Sequence, residues 1–306
     1  MITALAGGVG AAKLLAGMAR VADPTAITAI VNVGDDDDMH GLRICPDLDT
    51  IRYTLGARVN PETGWGRVGE TWRVMDELER LGGDTWFRLG DLDLATHLYR
   101  TAQLARGHSL THITRALCKA DGVGIDLIPA TDDPLRTVIE LASGERISFQ
   151  DYFVRLRHAV AVRAVHFSGA NEAQLSPTAR AALYNADRLI ICPSNPIVSI
   201  GPLLALDELA QILRGRREEV VAVSPIIAGK ALKGPADRLM TELGHDASVL
   251  GVARIYAPYA ATFVIDQADA ELAPAIEDVG MRCVVTATVM SDLDAAQKLA
   301  ATVLGA

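Results

Sequence analysis

The stretch AITAIVNVGDDDDMHGLRICPDLDT, residues 26–50, decides how the rest of the chain is interpreted. Residues 26–33 are apolar and β-branched on both faces, which is typical of a strand in a parallel sheet covered by helices on both sides. Four acidic residues follow directly: Asp35, Asp36, Asp37 and Asp38. Open α/β sheets bind ligands outside the carboxyl ends of their strands, so the run is predicted to lie at a metal and substrate site.

The density of carboxylates favours a bound cation. Adjacent carboxylates repel one another, and the repulsion falls when a hard cation such as Mg²⁺, which prefers oxygen ligands, lies among them. Asp47 and Asp49 follow at a predicted helix start beginning with Pro46, where negative charge is favoured, so both can be simple helix-start residues. Of the two, Asp49 is the better ligand candidate. The alternative for the acidic run is a solvated loop.

Composition bounds the class of protein. The chain has 306 residues, half of them apolar, and a net charge of −9, which disfavours non-specific nucleic-acid binding. Its four cysteines are scattered without a CxxC pair, so neither a disulfide framework nor a zinc site is indicated, and a reducing cytosol fits. The chain shows no secretory signal and no uninterrupted apolar segment long enough for a membrane helix. We therefore expect a cytoplasmic protein that binds neither nucleic acid nor membrane.

A glycine turn stands between the first strand and the first helix. The turn GGVGAAK covers residues 7–13, and free N–H groups at such a helix N-terminus favour phosphate. It is not a P-loop, and Lys13 occupies the position of the third glycine of the dinucleotide fingerprint. Lys13 could pair with phosphate as a point charge. The alternative is an ordinary tight strand-to-helix turn.

Further junctions carry polar residues behind apolar runs. Residues 86–107 pass through Gly90 into a helix, and they contain Arg88, Asp91, Asp93 and His97. Such a junction could place Arg88 and Asp93 at the mouth that also holds the acidic run. In residues 192–201, prolines flank Ser194 and Asn195, which predicts either a recognition loop for a base or phosphate or only a rigid helix entry.

A last junction of this kind covers residues 219–240, where Lys230 and Lys233 offer positive charge. The repeated alternation of strands and helices predicts an α/β fold, a Rossmann-like doubly wound parallel sheet. The middle third is richer in strands. We therefore expect a nucleotide-binding core formed by residues 1–125 and 170–306, with a smaller α+β insertion at residues 126–169.

Taken in order, the motifs GGVGAAK, PDLDT, LGDLDLATH, FQDYF, PSNPIVSIGP and SPIIAGKALKGPADRLM closely resemble the 2-phospholactate transferase family of coenzyme F-420 biosynthesis. The resemblance covers essentially the whole chain. It implies transfer of a phospho-three-carbon acid (2-phospholactate, phosphoenolpyruvate or phosphoglycerate) from a guanosine-diphosphate-activated donor to the deazaflavin Fo, with release of GMP. A homodimer is also implied.

The resemblance assigns roles to individual positions. Asp49 and Arg88 match the family's Fo-contacting sites and are the catalytic candidates, with Asp93 as a further Fo contact. The family usually has lysine at the position of Arg88. Mg²⁺ is the expected cofactor, with Asp35, Asp36 and Asp49 as its predicted ligands. The nucleotide and phosphate candidates are Gly8, Gly10, Lys13, Ser194, Asn195, Ser199, Gly201 and Lys230.

Several alternatives stay open. Guanine could instead bind at residues 230–234, and Trp72 or Trp86 could stack on the deazaflavin, although Trp72 has the helical spacing of a core residue. A looser kinship exists with non-catalytic nucleotide-sugar-binding regulatory proteins of the same fold. A Rossmann dehydrogenase is disfavoured, because no acidic residue is clearly placed about twenty positions after the glycine turn to hold a ribose.

Overall fold

The computed structural model describes residues 1–62, 64–232 and 234–306. Its strands are β1 (Ile2–Ala6), β2 (Ile27–Val31), β3 (Asp37–Met39), β4 (Leu42–Ile44), β5 (Asp126–Pro129), β6 (Arg136–Leu141), β7 (Arg146–Ser148), β8 (Val162–Ser168), β9 (Arg188–Ile191), β10 (Val220–Val223), β11 (Ile226–Ile227), β12 (Lys230–Ala231), β13 (Thr262–Asp266) and β14 (Arg282–Thr286). Its α-helices are α1 (Gly8–Val21), α2 (Pro46–Leu55), α3 (Arg73–Arg80), α4 (Asp91–Ala105), α5 (Leu110–Asp121), α6 (Pro177–Asn185), α7 (Gly201–Leu204), α8 (Asp207–Gly215), α9 (Ala236–Glu242), α10 (Val249–Tyr256), α11 (Ala273–Asp278) and α12 (Leu293–Gly305).

Seven strands form one parallel sheet in the order β14-β13-β10-β9-β1-β2-β5. After β1, the next strands of this sheet, β2 and β5, are added on one side of β1. The later strands β9, β10, β13 and β14 are added on its other side. The strand order therefore reverses between β1 and β9, which is the topological switch point of the sheet. A doubly wound sheet opens a crevice for ligands at this point, and the predicted fold class is confirmed.

Burial explains why the strands are apolar on both faces. Every residue of β2, β10 and β13 is buried, because helices cover both sides of the sheet. Helix α1 packs against α2 and α12. The prediction of a covered strand before the acidic run is therefore confirmed, and that run begins where the chain leaves the sheet.

A smaller antiparallel sheet, in the order β7-β6-β8, lies within the region predicted as an insertion. Alternate residues of β6 are buried, and Ile139 packs in a separate apolar cluster with Tyr152, Val198 and Leu239. A five-residue π-helix, Asp151–Arg155, follows β7. The predicted range 126–169 begins too early in one respect, since β5 pairs with β2 in the main sheet through Leu127 and Ile128. The division into a core and an insertion stays a prediction.

No α-helix in the described ranges is long and apolar enough to cross a membrane.

Candidate functional site

A cleft of about 780 Å³ opens at the carboxyl ends of the central strands. It is lined by the loops that follow β1, β9, β10 and β14, and by residues of α2 and α4. The insertion adds one wall through Phe149, Gln150, Phe153 and Val154. Its position at the reversal of strand order and its size are those of a small-molecule site.

The glycine turn after β1 and the loop after β9 are joined by direct contacts. The Ser194 hydroxyl donates to the carbonyl oxygen of Gly7 at 2.8 Å, and the Gly7 N–H donates to Ser194 Oγ at 3.3 Å. A Cβ atom at Gly10 would lie 2.2 Å from the carbonyl oxygen of Pro193, so only glycine fits there. This close approach leaves the first turn of α1 facing the cleft.

Lys13, Asn195 and Ser199 also line the cleft, as the sequence predicts. Lys13 Nζ donates to the carbonyl oxygen of Met290 at 2.7 Å, which ties α1 to the loop after β14. The Asn195 side chain accepts hydrogen bonds from the N–H groups of Ile197 and Val198, so it shapes its own loop.

Two residues of the predicted nucleotide set lie away from the cleft wall. Gly201 opens α7 under the ring of Phe167, where an added Cβ would meet Cζ at 2.9 Å, so its glycine serves packing. Lys230 is exposed on the β11–β12 hairpin. Lys233 lies outside the described residues.

The four residues of the acidic run differ in burial, and Asp38 is the exposed one. Asp35 and Asp36 are buried at 6% and 3% exposure, whereas Asp37 and Asp38 enter the β3–β4 hairpin. Asp38 forms an ion pair with Arg43 at 2.7 Å. The solvated interpretation therefore holds for Asp38, and the buried pair needs another explanation.

Asp35 lies on the cleft wall without a cationic partner among the described residues. Burial, followed by the charge of Asp47, raises its pKa well above the ordinary value, although the neighbouring side chains of Asn32 and Thr137 oppose that shift. Its Oδ1 atom is buried and has no hydrogen-bond partner in the described ranges. Gln150 of the insertion donates to its backbone carbonyl at 3.0 Å. Asp35 is thus held in place with one carboxylate oxygen unsatisfied.

Asp36, the second predicted metal ligand, lies on the wall of a separate cavity of about 430 Å³ beneath the insertion, which Asp35 also lines. Its Oδ2 atom accepts a hydrogen bond from the Cys45 thiol at 3.0 Å. Burial raises its pKa to about 7, although the nearby arginines, led by Arg100, oppose that shift.

Asp47 belongs to the site, although the sequence favours Asp49 as the ligand. Asn32, fully buried at the end of β2, donates to Asp47 Oδ2 at 2.9 Å and accepts from the Gly34 N–H at 2.8 Å. Burial raises the pKa of Asp47 to about 6, against hydrogen bonds from Asn32 and the Gly8 N–H. Asn32 was also missed, and its amide at the end of an apolar strand was the available signal.

Asp49 also lines the cleft and is neutralised by arginine. Its Oδ1 atom accepts a hydrogen bond from Arg100 at 2.6 Å, and Arg52 lies 3.4 Å from the same atom. Its ligand atoms, and those of Asp93 and His97, lie within 4.8 Å of one another. The sequence predicted Asp49 and Asp93 for the site and noted His97 at the same junction as Asp93, but Arg100 was missed because it stands alone in an ordinary helical pattern.

Arg88 lines the cleft with Asp49, as expected for two residues of one site. It is half exposed, pairs with Asp76 at 3.1 Å, and lies over the ring of Trp72. Trp72, Trp86 and Phe87 pack against the small apolar cluster around Met75, and Phe87 also lines the cleft, as does Trp65.

Comparison with known proteins assigns this chain to a family. The sequence model of the family described as "2-phospho-L-lactate transferase CofD" matches residues 2–304. The chain belongs to this transferase family. A phosphoenolpyruvate transferase of Kitasatospora aureofaciens is 40% identical over 99% of this chain and 96% of its own length. Phosphoenolpyruvate transferases of Nocardia farcinica and Mycobacterium tuberculosis are 44% and 43% identical, each over 87% of this chain and over 82% and 86% of their own lengths.

The fold has a counterpart among solved structures. A crystal structure of a UPF0052 family protein from Bacillus halodurans matches with a TM-score of 0.62 at 16% identity. The match covers 99% of this chain and 98% of that one. At this identity the likeness concerns the fold alone.

Proposed function

We propose that this CofD-family transferase moves a phospho-three-carbon acid from a guanosine-diphosphate-linked donor to the deazaflavin Fo and releases GMP. The observation that carries the proposal is a single cleft. The glycine turn and Ser194 line it, and so do Asp49, Arg88 and Asp93. A diphosphate and a hydroxyl-bearing acceptor can therefore meet in one enclosure.

Phosphoenolpyruvate is the donor acid that the comparisons favour. The related proteins from Kitasatospora, Nocardia and Mycobacterium are phosphoenolpyruvate transferases of about 40% identity over most of the chain. Phospholactate and phosphoglycerate are the competing donors.

The buried carboxylates are suitable ligands for a divalent cation, and Asp35 and Asp47 are the two that we favour. Both are buried in the cleft, and neither forms an ion pair with a described lysine or arginine. A bound cation would supply the positive charge that these two carboxylates lack. Asp49 already has Arg100, and Asp36 accepts from Cys45. A bound Mg²⁺ would neutralise charge on the diphosphate. Of the predicted ligands Asp35, Asp36 and Asp49, we therefore retain Asp35 and add Asp47.

The remaining steps use the chain's own groups. N–H groups of the first turn of α1 that follow Gly8 are placed to hold a phosphate. Asp49 and Asp93 are placed to accept hydrogen bonds from the acceptor's hydroxyl groups, which orients one of them for attack. The attacking oxygen forms a bond to the phosphorus that carries the acid, the bond from that phosphorus to the GMP oxygen breaks, and the hydroxyl proton leaves to solvent. Positioning and electrostatics supply the catalysis, so no protein nucleophile is needed.

The test is turnover of Fo with each of the three guanosine-diphosphate-linked acids, with and without Mg²⁺, followed by mass spectrometry of the Fo product and GMP. We expect the phosphoenolpyruvate donor to give the highest kcat/KM. Asp49→Asn should lower it strongly, while Asp278→Asn, on the exposed end of α11, should not. No product with any donor would overturn the proposal, and nucleotide-sugar binding without turnover would favour the regulatory alternative.

We also propose that the protein works in the cytoplasm as a homodimer. The cysteines of the described chain are free thiols, in keeping with a reducing compartment. Light scattering of the purified protein tests the dimer.

A further inference from the structure

We propose that Arg100 is the positioning residue of the acceptor site, where it fixes both the carboxylate of Asp49 and the tautomer of His97. This inference rests on the proposed function, since it concerns the site assigned to Fo. Its first test, however, needs no substrate.

Arg100 is one of the largest side chains that the fold buries completely, with 1% exposure. Its Nη2 atom donates to Asp49 Oδ1 at 2.6 Å, and its Nη1 atom donates to the carbonyl oxygen of Arg43 at 3.2 Å. Burial disfavours its charge, but the neighbouring acidic groups, led by Asp49, raise its pKa above the ordinary value. Burying a charged guanidinium this deeply beside a cleft costs desolvation free energy, so a role that explains its presence is expected.

The contact with His97 provides one reason. Arg100 Nη1 lies 3.1 Å from His97 Nδ1. A guanidinium can only donate, so Nδ1 must be the acceptor, and the hydrogen of the neutral ring lies on Nε2. Nε2 in turn is 3.3 Å from Asp93 Oδ1. The ring oriented by Arg100 therefore lies beside a second carboxylate of the cleft, although Nε2 has no partner of hydrogen-bond geometry among the described residues.

Asp93 completes the array. Its Oδ1 atom also accepts a hydrogen bond from the Tyr53 hydroxyl at 2.5 Å. Burial works against its charge, but the neighbouring His97 ring, the hydrogen bond from Tyr53 and the charge of Arg100 lower its pKa below the ordinary value. Asp93 is thus an anion held in a fixed position on the cleft wall.

The array also argues against a metal at this cluster. Asp49, Asp93 and His97 are close enough to hold an ion. A metal ligand nitrogen must be free of hydrogen, however, and Nδ1 is occupied by Arg100 while Nε2 carries the hydrogen. Asp49 Oδ2 is buried without a hydrogen-bond partner in the described ranges, which leaves it as the acceptor for a substrate hydroxyl. Arg100 thereby orders two carboxylates for hydroxyl recognition.

The first test is the ¹⁵N spectrum of the His97 ring in the substrate-free protein. We expect a pyrrole-like Nε2 and a pyridine-like Nδ1 in the wild type, and a mixture of tautomers in Arg100→Met. A wild-type ring with hydrogen on Nδ1 would overturn the proposal, whatever reaction the protein catalyses. If Arg100→Met fails to fold, this wild-type spectrum still decides the matter.

The second test is kinetic and compares Arg100→Met, Arg100→Lys and Arg106→Met, the last at the exposed C-terminal end of α4. Removal of the guanidinium in Arg100→Met should lower kcat/KM for Fo by about 10²-fold, since misplacement of positioning groups has effects of that size. Lysine should restore part of the loss through its charge, without restoring the tautomer. Donor KM and the Arg106→Met variant should stay near wild type. An equal loss for donor and acceptor in folded Arg100→Met would indicate a merely structural role and contradict the proposal.

Discussion

At the residue scale, the site separates carboxylates that are neutralised by protein groups from carboxylates that are not. Asp49 has Arg100, while neither Asp35 nor Asp47 forms an ion pair with a lysine or arginine of the described ranges. An isolated buried charge is costly, and cation binding is the usual way to retain it. The two kinds of carboxylate therefore predict two different functions within one cleft.

Asp47→Asn tests this division, because it should increase the stability of the metal-free protein and decrease its affinity for Mg²⁺. Removing one of two buried like charges should stabilise the metal-free protein by about 1 kcal/mol. The same change should weaken Mg²⁺ binding by at least tenfold. Unfolding in urea with EDTA gives the first quantity, and calorimetric titration with Mg²⁺ gives the second. Asp278→Asn is the control, and a loss of stability without any change in Mg²⁺ affinity would show that Asp47 is only a helix-start residue.

Gly10→Ala probes the joint between the loops after β1 and β9. The new Cβ would overlap the carbonyl oxygen of Pro193 at 2.2 Å, so one of the two loops must move. Overpacking of this kind costs about 1–3 kcal/mol, and guanosine nucleotide binding should weaken with it. Thermal unfolding and GDP titration measure both effects. Gly215→Ala, where no atom lies within 4 Å of the added Cβ, should leave both unchanged.

At the element scale, hydrogen bonds from strand ends fix the loops around the cleft. Asp266, the last residue of β13, accepts from the N–H and the hydroxyl of Thr288, at 2.7 and 3.0 Å, in the loop after β14. Thr288 lines the cleft. Neighbouring strand ends thus hold this wall, and Lys13 supports the same loop through Met290.

Asp266 should make stability depend on acid pH. Burial would raise its pKa, but the hydrogen bonds from Ala268 and Thr288 outweigh burial and lower it below the ordinary 3.8. A lowered pKa in the folded state means that the stabilisation is present above pH 3.8 and is lost as pH falls through the folded value. Asp266→Asn should therefore lose about 1–3 kcal/mol at pH 7, and the difference from wild type should shrink in more acidic solution. Urea unfolding across pH 3 to 7 checks this, and a difference independent of pH would contradict it.

At the scale of the whole molecule, the sequence predicted the fold and the cleft better than the contacts inside the cleft. Strand burial leaves a local pattern, so β2 and the acidic loop behind it were found. Arg100 and Asn32 act through partners 51 and 15 positions away along the chain, at Asp49 and Asp47, and no periodicity encodes such pairings. The separation of Asp35 from Asp38 also depends on the β3–β4 hairpin, which turns one aspartate outward. Lys230 and Gly201 were placed in the site by motif alone, and the fold moves both off the cleft wall.

The insertion should respond to ligands as part of the site, although its apolar cluster is separate from the main core. Phe149 and Phe153 line the cleft with stacked rings 5.4 Å apart, and Gln150 donates to the backbone of Asp35. Bound Fo or donor should therefore slow amide hydrogen exchange in residues 149–155, because closing the cleft restricts the π-helix that carries Phe153. Exchange measured by mass spectrometry should show this protection with saturating Fo, while residues 273–282, at the opposite edge of the main sheet, should not change. Protection confined to the glycine turn would show instead that the insertion is a scaffold outside the binding site.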